Sequence, residues 1–150
     1  PIVSGAGEAT PAPARARESC SRRVLVVEDG HDTRESLGML LSAWNHEVIY
    51  AADGPEGLRC AREARPDVAI IDIGLPGLDG YEVARRIRAG DSEWSRAVRL
   101  IALTGYGQAA DRERALQAGF DVHVLKPVDP LELERLVAQW EPEPRPLEAP

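Results

Sequence analysis

The chain has 150 residues, a formal net charge of −7 and a pI near 5.0, which suits one domain with a sizeable core. This acidic balance argues against wrapping nucleic acid or adhering to an anionic membrane. No apolar stretch approaches the length of a bilayer span, and Cys20 and Cys60 lack the spacing of a zinc site or a disulfide framework. We therefore expect a reducing, cytoplasmic setting without direct contact with membrane or nucleic acid.

The two ends differ in composition from the middle. Residues 1–22 are rich in Ala, Pro, Gly and Arg, and residues 141–150 alternate proline with charge, so both indicate a linker or tail. Between them, over residues 23–140, a strand pattern followed by a helix pattern occurs five times. Strands are predicted near 23–28, 46–51, 67–72, 98–103 and 121–126. Helices are predicted near 33–45, 55–64, 80–89, 108–118 and 130–140.

Local signals mark several helix ends. Asp32 with Glu35 forms a candidate capping box at the start of the first helix. Asp53, followed by Gly-Pro, opens the second helix, and Asp129, followed by Pro, opens the last one. Gly119 is the expected left-handed residue that closes the fourth helix. Five such units with short connections imply right-handed crossovers and an open, doubly wound α/β sheet with strand order 2-1-3-4-5.

Acidic residues follow two strands that this order places side by side. Glu28 and Asp29 end the run VLVVED, and Asp72 ends VAIID. Neighbouring strands lie about 4.8 Å apart, and each like-charge pair at about 5 Å costs about 3 kcal/mol at an effective dielectric near 20. The cluster therefore requires a cation, and oxygen ligands predict Mg²⁺, with Mn²⁺ as a possible substitute.

A hydroxyl and an amino group end the other two runs. Thr104 follows LIAL, and Lys126 follows VHVL. Phosphoryl transfer onto a carboxylate requires this set of groups, with Asp72 as the nucleophile that becomes an acyl phosphate. Lys126 and Thr104 would hold the transferring oxygens on the side opposite the cation. Each of these residues alone could also be an ordinary solvated strand-end residue.

The same residues resemble a known family. Four stretches carry the resemblance: VLVVEDGHDTRESL, PDVAIIDIGLPGLDGYEVARRIR, LIALTGYG and RALQAGFDVHVLKPVDPLEL. They are similar to the receiver domain of two-component response regulators and hybrid histidine kinases, from about residue 23 to 140. The resemblance implies a flavodoxin-like (βα)5 sandwich around a parallel five-stranded sheet. It also implies a phosphohistidine donor on a histidine kinase or histidine phosphotransfer domain, and leaves a weak dimer possible.

Roles for individual residues follow from the resemblance. It implies that Asp72 is the phosphorylation site, that Glu28 and Asp29 are metal-site acids, and that the Gly74 carbonyl completes the metal shell. Thr104 becomes the switch hydroxyl and Lys126 the phosphate partner. The domain would thus catalyse its own phosphorylation and dephosphorylation without containing a kinase active site.

The chain departs from the family pattern near the site. Gly30 replaces a frequently polar residue, and Glu28 replaces the commoner Asp. Gly74 presents no side chain toward an attacking water, and Tyr106, next to Gly105, is placed to cover the site instead.

Two further features concern the fifth strand. His123 stands where many receivers have the aromatic residue that accompanies the switch hydroxyl, so either a switching or a packing role is open for it. The Lys126–Pro127 bond is predicted to be cis, which would aim Lys126 into the acidic crevice.

Several alternatives remain. The start PIVSG with its Ala/Pro/Arg linker resembles the junction after a histidine-kinase ATPase domain, and no helix-turn-helix pattern follows residue 140. This favours the C-terminal receiver of a hybrid sensor kinase over a transcription factor, with a stand-alone receiver as the alternative. An Asp-nucleophile phosphatase would want a second Asp at position 74, which is Gly. A degenerate receiver, acting only in protein interaction, would have lost one of the site residues.

Overall fold

Five parallel strands form one sheet in the computed structural model, which describes residues 21–105 and 111–138. The strands are β1 (Arg23–Val27), β2 (Glu47–Ala51), β3 (Val68–Asp72), β4 (Arg99–Thr104) and β5 (Val122–Leu125). The helices are α1 (His31–Ala43), α2 (Gly54–Ala64), α3 (Gly80–Arg88), α4 (Glu93–Ala97), α5 (Asp111–Ala118) and α6 (Pro130–Ala138). The described part of the chain has no helix that is long and apolar enough to cross a membrane.

The strand order is β2-β1-β3-β4-β5, and every pairing is parallel. The predicted order and fold class are therefore confirmed. Val27 at the end of β1 is in register with Ile71, and Asp72 is in register with Leu103. Because the strand ends are nearly level, the residues that follow β1, β3 and β5 meet at one edge of the sheet.

Two apolar cores cover the two faces of the sheet. One core joins the sheet to α2, α3 and α5 through residues such as Leu58, Ile87 and Ala115. The other joins it to α1 and α6 through Leu37 and Leu133. All five residues of β3 are buried, as a central strand covered on both faces requires. The backbone of its last residue, Asp72, is therefore held firmly in the sheet.

Most helix ends follow their sequence signals. The Asp53 carboxylate accepts the Glu56 N–H at 2.9 Å, and Asp129 accepts the Leu131 N–H at 3.1 Å. Gly119 has a φ of 113° after α5, as a residue without a Cβ allows. The start predicted for the fourth helix, at 108, lies outside the described residues, as do residues 1–20 and 139–150.

The capping box predicted for the first helix is wrong. This helix begins at His31 with Gly30 as its N-cap, and no side chain caps it. The Gly30 carbonyl accepts the Arg34 N–H at 2.9 Å, so the first turn starts two residues earlier than predicted. The Gly30 N–H is already taken by the Glu28 carboxylate at 2.9 Å.

The short helix α4 is an element that sequence reasoning missed. It spans five residues, too few to show a helical period. A start signal was present, since the Ser92 hydroxyl accepts the Ser95 N–H at 3.1 Å. The helix fills the connection between α3 and β4.

A partly buried arginine ties this connection to the rest of the domain. Arg88 donates to the Val98 carbonyl at 2.7 Å and to two carbonyl groups of α4 at 3.2 Å each. It also donates to the Gly119 carbonyl at 2.9 Å and pairs with Asp121 at 2.9 Å. Asp121 accepts the Leu100 N–H at 2.8 Å. One guanidinium group thus joins α3, α4, the start of β4 and the turn before β5.

Replacing Arg88 with Met should destabilise the domain by about 3–5 kcal/mol, because it removes the ion-pair partner of the partly buried Asp121 and the donor to four backbone carbonyl groups. The measurement is urea unfolding followed by circular dichroism. Arg85→Met is the matched control, since Arg85 lies on the same helix and forms only an exposed pair with Glu82 at 3.7 Å; its cost should stay below about 1 kcal/mol. Equal losses in the two variants would contradict the role assigned to Arg88.

Candidate functional site

Four charged residues meet at the carboxyl edge of the sheet. Glu28 and Asp29 directly follow β1, Asp72 ends β3, and Lys126 directly follows β5. Backbone pairing continues beyond β1, because the Glu28 N–H donates to the Ala51 carbonyl at 3.1 Å. The sheet therefore fixes the start of each of these side chains.

The three acids form a cluster. One carboxylate oxygen from each of Glu28, Asp29 and Asp72 lies within 4.8 Å of the others, and among the described residues no other such acidic, His or Cys group occurs. Glu28 and Asp72 are buried, and Asp29 is exposed. Oxygen donors open to solvent on one side suit a hard divalent cation that keeps some of its water. The sequence prediction that these acids converge agrees with this geometry.

Lys126 lies between the two buried acids. Its Nζ is 3.1 Å from Glu28 Oε1 and 3.1 Å from Asp72 Oδ2. The backbone N–H of Lys126 donates to the Thr104 carbonyl at 2.9 Å. This bond fixes the Lys126 backbone, and the side chain extends from it to the acids. The Lys126–Pro127 bond is cis, so that prediction is confirmed.

The charges of this cluster act on one another. Burial raises the pKa of Glu28, and the Asp72 charge raises it further, against the Gly30 N–H and Lys126, which lower it. Burial alone would lower the pKa of Lys126, but Asp72 and Glu28 outweigh it, and its pKa is raised. The ammonium group therefore stays charged, and Glu28 takes up a proton more readily than an ordinary glutamate.

Asp72 is oriented through both of its oxygens. Oδ1 accepts the Gly74 N–H at 2.9 Å, while Oδ2 contacts Lys126. A Cβ at Gly74 would lie 3.5 Å from Oδ1, an ordinary contact, so space alone does not demand glycine there. The metal-ligand role of the Gly74 carbonyl stays a prediction.

Two glycines near the acids have close neighbours that were not predicted from the sequence. A Cβ at Gly80 would lie 2.4 Å from the Asp72 carbonyl oxygen, so α3 can start this close to β3 only with glycine. A Cβ at Gly30 would lie 3.0 Å from Glu28 Oε2. In the sequence, the glycines of the runs LDGYE and VEDGH could have indicated these close approaches.

The proposed switch residues are near the site but not joined to it. The Thr104 side chain is buried and donates to the Val124 carbonyl over 3.5 Å, and within the described residues it forms no hydrogen bond to Asp72 or Lys126. His123 is half-buried on β5, opposite Ala102. Since Leu125 is opposite Thr104, His123 and Thr104 face the same side of the sheet. Gly105 is half-buried after β4, and Tyr106 lies outside the described residues.

Comparison with known proteins agrees with this geometry. The family model of the response regulator receiver domain matches residues 24–138. An uncharacterized 14.6 kDa protein from the sodA1 3′ region of Leptolyngbya boryana is 38% identical over 117 residues, covering 78% of this chain and 88% of that protein. The transcriptional regulatory protein AfsQ1 of Streptomyces coelicolor is 40% identical over 105 residues, or 70% of this chain and 44% of AfsQ1. The chain thus spans less than half the length of AfsQ1.

Solved structures show the same likeness. A putative response regulator from Chloroflexus aurantiacus is 30% identical with a TM-score of 0.75, covering 80% of this chain and 97% of that one. The receiver domain of sensor histidine kinase PA1611 from Pseudomonas aeruginosa is 36% identical with a TM-score of 0.73, covering 81% and 98%. That structure has a magnesium ion coordinated in the active site cleft. With the family model, the sheet order and the site agreeing, the chain belongs to the response regulator receiver domain family of two-component signalling.

Proposed function

We propose that this domain accepts a phosphoryl group onto Asp72 from a phosphohistidine on a histidine kinase or histidine phosphotransfer domain. The observation that carries the proposal is the position of Asp72, which is held between two further acids and an ammonium group. In the reaction the P–N bond of phosphohistidine breaks as a bond forms between phosphorus and a carboxylate oxygen of Asp72. The products are an acyl phosphate and a free histidine.

The acid cluster fits Mg²⁺, with Mn²⁺ as a possible substitute, because its donors are oxygens and Asp29 opens it to solvent. Glu28, Asp29, Asp72 and the Gly74 carbonyl would hold the ion. When bound, Mg²⁺ supplies positive charge that stabilises the transferring oxygens. Asp29 is the stronger ligand of the acidic pair, since both oxygens of Glu28 are engaged, one by Gly30 and one by Lys126.

The other residues bind and orient the phosphoryl group. Lys126 moves its contact from the Asp72 carboxylate to the phosphoryl oxygens, which carry more negative charge. Among the described residues the Thr104 hydroxyl has one hydrogen bond, a long one of 3.5 Å to the Val124 carbonyl. It can exchange this bond for one to the same phosphoryl oxygens. His123 lies on the same side of the sheet, and its packing responds when Thr104 turns. Water can approach the acyl phosphate past Gly74, and from its sequence position two residues after Thr104 we expect Tyr106 to limit that access.

A hybrid sensor kinase is the parent protein that we favour, with this domain as its C-terminal receiver in the cytoplasm. The likeness to the PA1611 receiver, itself part of a sensor histidine kinase, supports this assignment. The second candidate is a stand-alone receiver, which the short Leptolyngbya relative favours because the match covers 88% of it. Transcriptional regulators such as AfsQ1 carry the same domain in a longer chain.

Asp72→Asn should abolish phosphorylation by a small acyl-phosphate donor with Mg²⁺, because the variant lacks the nucleophile. Its melting temperature in metal-free buffer should not fall, since one of the clustered negative charges is removed. Intact-mass spectrometry measures the label, which should be stoichiometric and base-labile in the native protein. Asp53→Asn is the matched control, because asparagine also caps α2. Full labelling of Asp72→Asn, or steady turnover of a generic phosphate ester by the native protein, would contradict the proposal.

Asp29→Ala should weaken Mg²⁺ binding by about tenfold or more, because it removes a charge next to the divalent ion. Phosphorylation should slow in parallel. Glu28→Gln should cost less, since its side chain is already held by Gly30 and Lys126. Isothermal titration calorimetry with MgCl₂ measures both variants. A larger loss in Glu28→Gln than in Asp29→Ala would reverse the ranking of the two ligands.

Mg²⁺ affinity should fall as the pH is lowered, starting above the ordinary glutamate pKa of 4.5. The pKa of Glu28 is raised, so its carboxylate binds a proton at a higher pH than an ordinary glutamate does, and each proton bound removes negative charge from the cluster. Calorimetric titrations between about pH 8 and pH 5 measure the effect. Glu28→Gln should flatten the upper part of this profile, and an unchanged profile in the variant would exclude Glu28 as its source.

A further inference from the structure

A cavity of about 320 Å³ lies at the edge of the sheet opposite the acid cluster. It is formed where α2 and α3 end and where the short helix α4 begins. Its walls include three arginines, Arg62, Arg65 and Arg86, together with Trp94 and Asp91. Its volume is at the lower end of the range of about 300–1,000 Å³ that is typical of small-ligand sites.

Two of the arginines have no anionic partner. Within residues 21–105 and 111–138, Arg62 and Arg65 form no ion pair, whereas Arg86 pairs with Glu82 at 3.0 Å. The chain as a whole carries a net charge of −7, whereas the residues that line this cavity include three arginines and one carboxylate, Asp91. Planar guanidinium groups match the geometry of phosphate oxygens.

Helix ends explain part of this pattern. Arg62 and Arg86 lie in the last turns of α2 and α3, where positive side chains interact favourably with the helix dipole. That effect accounts for an arginine on either helix. Arg65 is the C-cap of α2 and has a φ of 48°, the left-handed conformation that commonly ends a helix. A residue with a side chain adopts this left-handed conformation at a cost that glycine would avoid.

Trp94 gives the cavity a fixed aromatic wall. Its indole N–H donates to the Pro66 carbonyl at 2.7 Å, and the ring packs against the edge of the apolar core. Trp94 lines the same cavity as the three arginines. Such a combination suits a ligand with both a phosphate group and a planar ring.

We propose that this arginine–tryptophan cavity binds a phosphate-bearing organic anion of mononucleotide size. Arg62 and Arg65 bind the phosphate oxygens, and Trp94 contacts the planar part. The site is separate from Asp72 and does not depend on phosphoryl transfer.

Titration of the native protein with ADP in EDTA-containing buffer tests the proposal, since EDTA removes metal-dependent binding at the acid cluster. Calorimetry measures the affinity, and the indole N–H resonance of Trp94, assigned with Trp94→Phe, reports the location. We expect this resonance to shift on titration, and we expect pyrophosphate to bind more weakly than ADP because it lacks the ring.

Arg62→Gln with Arg65→Gly should weaken ADP binding by about tenfold or more, through the loss of two charge-assisted contacts. Glycine at position 65 relieves the left-handed backbone, so the melting temperature of the single Arg65→Gly variant should not fall. Arg59→Gln is the matched control, because Arg59 lies on the same helix but pairs with Glu63 at 3.3 Å. The proposal is overturned by absent binding, by unchanged affinity in the double variant, or by pyrophosphate binding as tightly as ADP.

Discussion

One ammonium group allows two buried carboxylates to share the end of a parallel sheet. The pairing of β1 with β3 brings Glu28 and Asp72 together, and burial on both faces of the sheet removes the water that would screen them. Lys126 contacts both at 3.1 Å and so neutralises part of their repulsion before any ligand binds. The turn after β5, the position of β4 between β3 and β5, and the packing of α6 all contribute to keeping that ammonium group in place.

The same contacts hold Asp72 in a fixed position, so its charge can change without a large rearrangement of the site. Asp72 is fixed at one end by the Gly74 N–H and at the other by Lys126, on a strand whose residues are all buried. Little rearrangement is required of the backbone when the charge on this residue grows, which is the advantage of a preorganised site on rigid elements. Under the proposed function, the parts that would move are side chains: the Lys126 ammonium group, the Thr104 hydroxyl and the half-buried His123.

The sequence predicted those features that repeat or that end an apolar run. Asp72 and Thr104 each follow four apolar residues, Lys126 follows the run VHVL, and parallel topology then brings their strand ends to one edge. The contacts of Lys126 with both Glu28 and Asp72 were not predictable. Strand order shows which residues lie near one another, but it does not show which oxygen atoms a flexible side chain contacts. For the same reason, the sequence does not predict that the Thr104 hydroxyl donates to the Val124 carbonyl. The helix α4 was not predicted because five residues are too few to show a helical period. The uncapped start of α1 was not predicted because the sequence does not show that the Glu28 carboxylate accepts the Gly30 N–H.

The close approach of Gly30 to Glu28 ties two positions of the sequence together. Glutamate is long enough to fold back onto the Gly30 N–H, and a side chain at position 30 would lie 3.0 Å from its carboxylate. An aspartate can accept the same kind of bond, as Asp72 does from the Gly74 N–H at 2.9 Å, but its carboxylate would lie closer to its own backbone. A larger side chain at position 30 therefore requires the Glu28 carboxylate to move by a few tenths of an ångström. The side-chain size that position 30 accepts thus depends on which acid occupies position 28 and on how that acid is bonded.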